Sequence, residues 1–225
     1  MNLLMCPVCR EALHLTEKTW SCVNKHSYDV AKQGYVNLHV VQHKHRKNPG
    51  DTAESVQARR AFLSAGFYAP LQHAVVTKIA ELKMNNLLDI GCGEGYYTNA
   101  MQAEVVQCVG VDIAKNAVQV AAKLNKKVTW VVGTGATLPV LDASIDLCTS
   151  LFNPIPKQEI LRVLKPNAYL MVVTPATEHL YAMREALFEE VNPHESHKFV
   201  EQLEDAFELV EAYVVESVFT VQQAD

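Results

Sequence analysis

Long apolar runs are missing from this 225-residue chain. The longest, such as residues 168–173, fall far short of the roughly 20 residues a membrane-spanning helix needs, and no signal-peptide pattern opens the N-terminus. The expected setting is the cytoplasm, with no membrane contact. A strong excess of one charge is also missing, since 20 Lys+Arg stand against 25 Asp+Glu for a formal net charge of −5. With 49% hydrophobic residues and no collagen-like or heptad bias, disorder, a triple helix and a coiled coil are excluded. Basic residues are scarcest towards the end: from residue 176 onward two face 12 acidic ones. That segment repels a polyanion and is a poor nucleic-acid surface. The first 47 residues reverse the balance, with seven basic against three acidic, so any nucleic-acid contact is expected there.

The six cysteines divide in the same way. Cys6 and Cys9 are two residues apart, and Cys22 is followed three residues later by His26, giving a CxxC and a CxxxH. These spacings suit tetrahedral zinc, and four protein ligands leave no open position, so the ion is structural. A segment this small cannot bury enough apolar surface to fold alone, so metal binding supplies much of its folding free energy. Four unrelated residues or a disulfide fit the spacing and a reducing compartment poorly. A helix-bearing DNA-reading finger normally ends in a His pair, whereas this pattern has one His, and residues 13–15, 19–21 and 27–30 read as short strands. A zinc ribbon fits better. Cys92, Cys108 and Cys148 sit in apolar surroundings and read as small buried hydrophobes.

A stretch rich in His, Lys and Arg, residues 39–47, leads to Asn48-Pro49-Gly50, and the domain boundary is expected there, dividing residues 1–47 from 48–225. Asp51 and Glu54 have capping-box spacing for a helix running to Gly66, and a second helix is expected at 70–82. The basic stretch, with Arg59 and Arg60, reads equally as an RNA-contacting strip or as a solvated linker and helix face.

From residue 86 short apolar runs at 87–90, 105–112, 128–132, 145–151 and 168–174 alternate with helical segments, which predicts an α/β fold with a parallel, doubly wound sheet. The first run ends in Asp89-Ile90-Gly91-Cys92-Gly93-Glu94-Gly95, with a helix beginning near Tyr96. Such a glycine loop lets a ligand approach the backbone, and the helix start offers free N–H groups. The spacing is GxGxG, with Tyr96 where a dinucleotide fold places its third glycine, so NAD is disfavoured. Asp112 ends the second run, where doubly wound folds bind ribose hydroxyls. Together these features predict an adenosine-bearing cofactor.

The glycine motif, Asp112, Leu138-Pro139 and the Leu164-Lys165-Pro166 turn resemble those of class I S-adenosylmethionine (SAM) dependent methyltransferases, whose sheet is Rossmann-like. More narrowly, the Cys6/Cys9/Cys22/His26 ribbon, Lys32-Gln33-Gly34-Tyr35-Val36-Asn37-Leu38, Pro49-Gly50-Asp51 and Ala58-Arg59-Arg60-Ala61-Phe62-Leu63 resemble the RlmA family, which methylates N1 of a guanine in a 23S ribosomal RNA hairpin. The resemblance implies SAM and a structural zinc as cofactors and 23S rRNA as partner, and it is compatible with a homodimer. It implies that Gly91, Gly93, Gly95 and Tyr96 cradle the methionine end of SAM, with Asp89 near its ammonium group. Asp112 would hold the ribose, Thr134, Gly135 and Ala136 the adenine, and Gly50 and Asp51 would close over the cofactor. Phe152 and Asn153, after the fourth strand, line the methyl-acceptor pocket, with Tyr68 a further stacking candidate.

SAM carries an activated methyl, so transfer is an in-line displacement governed by positioning. Guanine N1 must also lose a proton, and no residue is singled out by spacing as the acceptor. Members of the family run on past a strand expected at residues 207–215 with a further helix and a last strand. The C-terminus here is therefore expected to be shorter than theirs, leaving a sheet position unfilled. Two other functions stay open: an inactive RNA-binding homologue, and a SAM enzyme with another acceptor.

Overall fold

The computed structural model describes residues 2–40 and 50–220. Near the N-terminus β1 (His14–Thr16), β2 (Thr19–Ser21) and β3 (Ser27–Asp29) form an antiparallel meander. Strands of three residues are too short to be stable by themselves. Their support is the apolar cluster beneath, where Leu3, Leu4, Leu13 and Trp20 pack with Val140 and with Val109, Val131 and Ile145 of a second sheet. The backbone is joined there too: Met5 N–H donates to the Pro139 carbonyl at 3.0 Å and Leu141 N–H to the Leu3 carbonyl at 2.9 Å.

The second sheet follows the expected alternation: β4 (Tyr35–Asn37), α1 (Ala53–Ser64), α2 (Ala69–Leu82), β5 (Asn86–Ile90), α3 (Tyr96–Met101), β6 (Gln107–Asp112), α4 (Lys115–Leu124), β7 (Thr129–Val132), β8 (Ile145–Leu151), α5 (Lys157–Val163) and β9 (Leu164–Val173). Two short helices close the described chain, α6 (Tyr181–Leu187) and α7 (His197–Leu203). The six strands lie in the order β4-β7-β6-β5-β8-β9 and every pairing is parallel. All of β5 is buried, as a central strand covered on both faces must be. Because β6 and β8 flank β5 on opposite sides, the strand order switches there, and the carboxyl ends of these strands frame a crevice.

Four local expectations change. Residues 32–38 carried no strand signal, yet Tyr35–Asn37 pairs with β7 and forms an edge of the parallel sheet. Helix α1 is capped by Thr52, whose hydroxyl accepts from Ser55 N–H at 3.2 Å, because the Asp51 carboxylate is turned towards Arg59. The Leu164-Lys165-Pro166 turn is absorbed into β9, with a register shift between Ile145 and Leu147 and Asn167 in the left-handed region at φ 59°. The strand expected at 207–215 does not form: the segment is rich in β-branched and aromatic residues, but no described strand pairs with it, and Leu209, Val210, Tyr213 and Val214 stay exposed. Residues 41–47 of the basic stretch expected at 39–47, and the domain boundary expected beside it, lie outside the described residues, as do the last residues, 221–225. Among the described residues, no helix is long and apolar enough to cross a membrane.

Candidate functional site

Cys6, Cys9, Cys22 and His26 converge, with their ligand atoms all within 4.8 Å of one another. The CxxC turns on itself through Arg10 N–H, which donates to the Cys6 carbonyl at 2.9 Å, with Arg10 at φ 65°. The CxxxH closes similarly, with Cys22 N–H donating to the His26 carbonyl at 3.1 Å. Cys9 Sγ and Cys22 Sγ are 3.6 Å apart, and His26 Nδ1 is 3.6 Å from Cys6 Sγ and 3.4 Å from Cys22 Sγ. A tetrahedron built on zinc–sulfur bonds of about 2.3 Å has edges of roughly 3.8 Å, so these separations fit a shared ion and are far too long for a disulfide. The side chain of Asn24, and then the backbone at Glu11, pull the Cys9 thiol down to about 6, which favours the thiolate a metal needs. The donor set therefore fits structural zinc.

At the carboxyl edge of the large sheet, β5 opens into the glycine loop. Gly91 N–H donates to the Val111 carbonyl at 2.8 Å and Gly93 N–H to Asp112 at 2.9 Å, so the tip of β6 fixes the loop. The three glycines make room for different neighbours. A methyl group on Gly91 would lie 1.7 Å from Asn153 Nδ2, and one on Gly95 would lie 2.7 Å from the Trp130 ring. On Gly93 it would meet only Arg59, at 3.4 Å, which leaves that backbone open to a ligand. Asp112 accepts from Gly93 through one oxygen and from Ala114 N–H through the other at 2.7 Å, and burial pushes its carboxyl above the usual range. Asp89 is 3% exposed and wholly engaged, with Thr98 donating at 2.5 Å and Thr149 at 2.8 Å. Burial moves it up to about 6. It braces the loop from below.

Gly50 lies against Ala114, 2.7 Å from its methyl by the same measure, so the segment before α1 closes on the end of β6. Gly135 lies beside Ile90 and Pro156, and Ala136 N–H donates to the Thr134 hydroxyl at 3.2 Å, which puts this turn at the same edge. Tyr96 begins α3, and its carbonyl accepts from Gln72 Nε2 at 2.8 Å. Phe152 and Asn153 follow β8; Asn153 Nδ2 donates to the Gly91 carbonyl at 2.9 Å and to the Ile90 carbonyl at 3.2 Å. The structure thus brings the glycine loop, Asp112, Gly50, the 134–136 turn and Asn153 to one edge, while the carboxylate of Asp89 is covered.

Sequence reasoning did not assign Arg59 to this site. From α1 its Nε donates to buried Glu94 at 3.0 Å and its Nη1 to Asp51, while Nη2 reaches over Gly93. It is the guanidinium amid the carboxylates of Asp51, Glu94 and Asp112, and its charge works against the burial of Asp112. Only its place two helices before the loop hinted at this.

A doubly wound parallel sheet whose first crossover opens on GxGxG, with a carboxylate at the tip of the next strand, defines a class I methyltransferase that uses SAM. Residues 88–172 match the methyltransferase domain, and residues 4–47 match the zinc ribbon described as RlmA, N-terminal. The chain belongs to the RlmA family of methyltransferases. A curated 23S rRNA (guanine(748)-N(1))-methyltransferase of Streptomyces fradiae is 34% identical over 218 residues, covering 93% of this chain and 77% of that protein. A putative 23S rRNA (guanine-N(1)-)-methyltransferase of Micromonospora griseorubida is 34% identical over 207 residues, 82% of this chain and 69% of that protein. A solved SAM-dependent methyltransferase from Aquifex aeolicus shares the fold, with a TM-score of 0.54 at 19% identity over 70% of this chain and 88% of that one.

Proposed function

We propose that this protein transfers the methyl group of SAM to N1 of a guanine in a hairpin of 23S rRNA. The observation that carries the reading is that similarity to a curated enzyme with this activity runs through ribbon and methyltransferase domain together, over 93% of the chain. The uneven charge supports it, because the basic N-terminal 47 residues suit a polyanion and the acidic end does not. Two copies pairing their ribbons around one hairpin is the assembly proposed with it.

When bound, SAM supplies a methyl group activated on a sulfonium. The protein's residues hold and orient it. Gly93 leaves the backbone open to its methionine end, and Arg59 Nη2 offers a cation to its carboxylate. Asp112 has lone pairs left for the ribose hydroxyls while its fixed oxygens hold the loop. The 134–136 turn would border the adenine, and Gly50 with Asp51 would cover the cofactor. Asn153 ties the acceptor side to the glycine loop, so that base and methyl donor share one rigid frame, which is how positioning accelerates an in-line transfer. Phe152, 39% exposed, offers a face for a base turned out of its stack.

The test is transfer of labelled methyl from SAM to unmodified 23S rRNA, with the product nucleoside identified by mass spectrometry. One-methylguanosine at a single hairpin position is expected. Transfer to another base, or SAM binding without any transfer to the RNA, overturns the assignment of the acceptor.

A further inference from the structure

The reaction proposed above needs an acceptor for the guanine N1 proton, and a half-buried cluster at the rim of the site has the geometry for one. Tyr68 stands immediately before α2, and Gln72, one turn on, is bonded to the Tyr96 carbonyl just after the glycine loop. Tyr68 therefore sits beside the loop. From the opposite side comes Phe152, whose neighbour Asn153 is bonded to Gly91. The Tyr68 and Phe152 rings are 6.1 Å apart at 71°. His179, from the segment after β9, completes the group, its ring 6.0 Å from Phe152 and its Nε2 2.6 Å from the Tyr68 hydroxyl.

Two features mark this cluster as more than packing. Phe152 holds φ 57°, a backbone conformation that aromatic residues rarely adopt, and the residue stays 39% exposed at the sheet edge. The short hydroxyl–imidazole bond joins residues 111 positions apart beside that ring. Around His179 lie the His194 ring, at 5.9 Å, the Arg184 guanidinium and the Tyr68 phenol. Burial, then His194 and Arg184, hold the His179 imidazole below its usual range, while burial holds the Tyr68 phenol above its own. Near neutral pH the phenol therefore keeps its proton and donates it to a neutral imidazole.

We propose that Tyr68 and His179 form a proton relay for the target guanine, with the phenol oxygen taking the N1 proton as its own proton passes to His179 Nε2. The relay rests on the guanine-N1 reading. As N1 forms its bond to the methyl carbon, the carbon–sulfur electron pair leaves with sulfur, and the N1–H electron pair stays on the base. The charge balances: one positive charge enters on the sulfonium and ends on the His179 imidazolium. The nearby Arg184 charge disfavours that imidazolium, so its proton is readily returned to water.

The experiment is the pH dependence of one-methylguanosine formation on unmodified 23S rRNA by the parent, Tyr68→Phe and His179→Gln, with SAM binding measured by calorimetry. Tyr68→Phe keeps the ring, and His179→Gln keeps a hydrogen-bond acceptor without basicity. The parent's kcat should be flat at neutral pH and fall only below the usual histidine range. Both variants should bind SAM as the parent does and lose about a hundredfold in kcat. Their remaining rate should rise about tenfold per pH unit, because hydroxide must then remove the proton. Variants that keep the parent's kcat, that keep the shape of its pH profile at a lower rate, or that change only KM overturn the relay. A parent that binds SAM but forms no one-methylguanosine overturns the guanine reading and the relay with it, whereas a variant failure beside an active parent removes the relay alone.

Discussion

Replacing Gly91 by alanine tests how the cofactor loop and the acceptor side are joined. The new methyl group would lie 1.7 Å from Asn153 Nδ2 and 2.2 Å from its Cγ, so the Asn153 side chain must swing away. It then loses bonds to the Ile90, Gly91 and Leu151 carbonyls. An amide nitrogen has two protons to share among them, and at about 1 kcal/mol per bond the loss is about 2 kcal/mol. Alanine at φ 72° adds about 1–2 kcal/mol of backbone strain. Gly91→Ala should therefore cost about 3–4 kcal/mol, a fall of roughly 6–16 °C in Tm for a chain of this size. Asn153→Ala alone should cost about 2 kcal/mol, since the same bonds are lost. In that background the clash with Asn153 is gone and Gly91→Ala should add mainly the strain, about 1–2 kcal/mol. The double-mutant cycle then shows a coupling of about 2 kcal/mol. Urea unfolding of the four proteins, saturated with zinc, measures it. An equal cost for Gly91→Ala with and without Asn153 would refute the contact and the rigid frame built on it.

Arg59→Ala should weaken SAM binding by about 10–100-fold, the value of a hydrogen bond to a charged group, while a decarboxylated SAM analogue should lose far less. Equal losses for both ligands in calorimetry would show that Arg59 only props the loop. Asp89, raised to about 6 by burial, holds its proton more tightly in the folded protein than in the unfolded chain, so its contribution to stability is full only below the usual carboxylate range and is lost as pH rises through about 6. Relative to the parent, Asp89→Asn should therefore gain about 2 kcal/mol in urea unfolding from pH 4 to pH 7, and a pH-independent difference would contradict the burial argument. Cys22→Ala should release zinc, read by atomic absorption, and lower Tm, because metal binding is folding free energy for the ribbon; unchanged zinc content would dismiss the site.

Both candidate centres were legible because their signals are local. Two short cysteine and histidine spacings, and a run from Asp89 to Gly95 followed by Asp112, need no knowledge of the tertiary fold. What was hidden depends on long-range partners. Tyr35-Val36-Asn37 has too few residues to show a period and becomes a strand only because β7 lies beside it. Residues 207–215 show the reverse, a strand-like pattern with no described strand to pair with. Arg59 offered two readings, an RNA-facing strip or a solvated helix face, and the structure instead turns it onto the glycine loop, which only the positions of Glu94 and Gly93 reveal. Thr98 and Thr149 decide that Asp89 is covered, and neither stands out in the sequence.

The parallel edge strand β4 also imposes an order of events on folding. Tyr35 pairs with Trp130, so this strand leaves the ribosome long before its partner has been made. An unpaired strand edge is a template for wrong pairing. Here the strand is three residues long and is held at its middle residue by the antiparallel bridge between Val30 and Val36, next to the meander. A ribbon that folds on its zinc first would present a short, oriented edge for β7 to find. The ion would then act during synthesis as a timing device for a sheet it never touches.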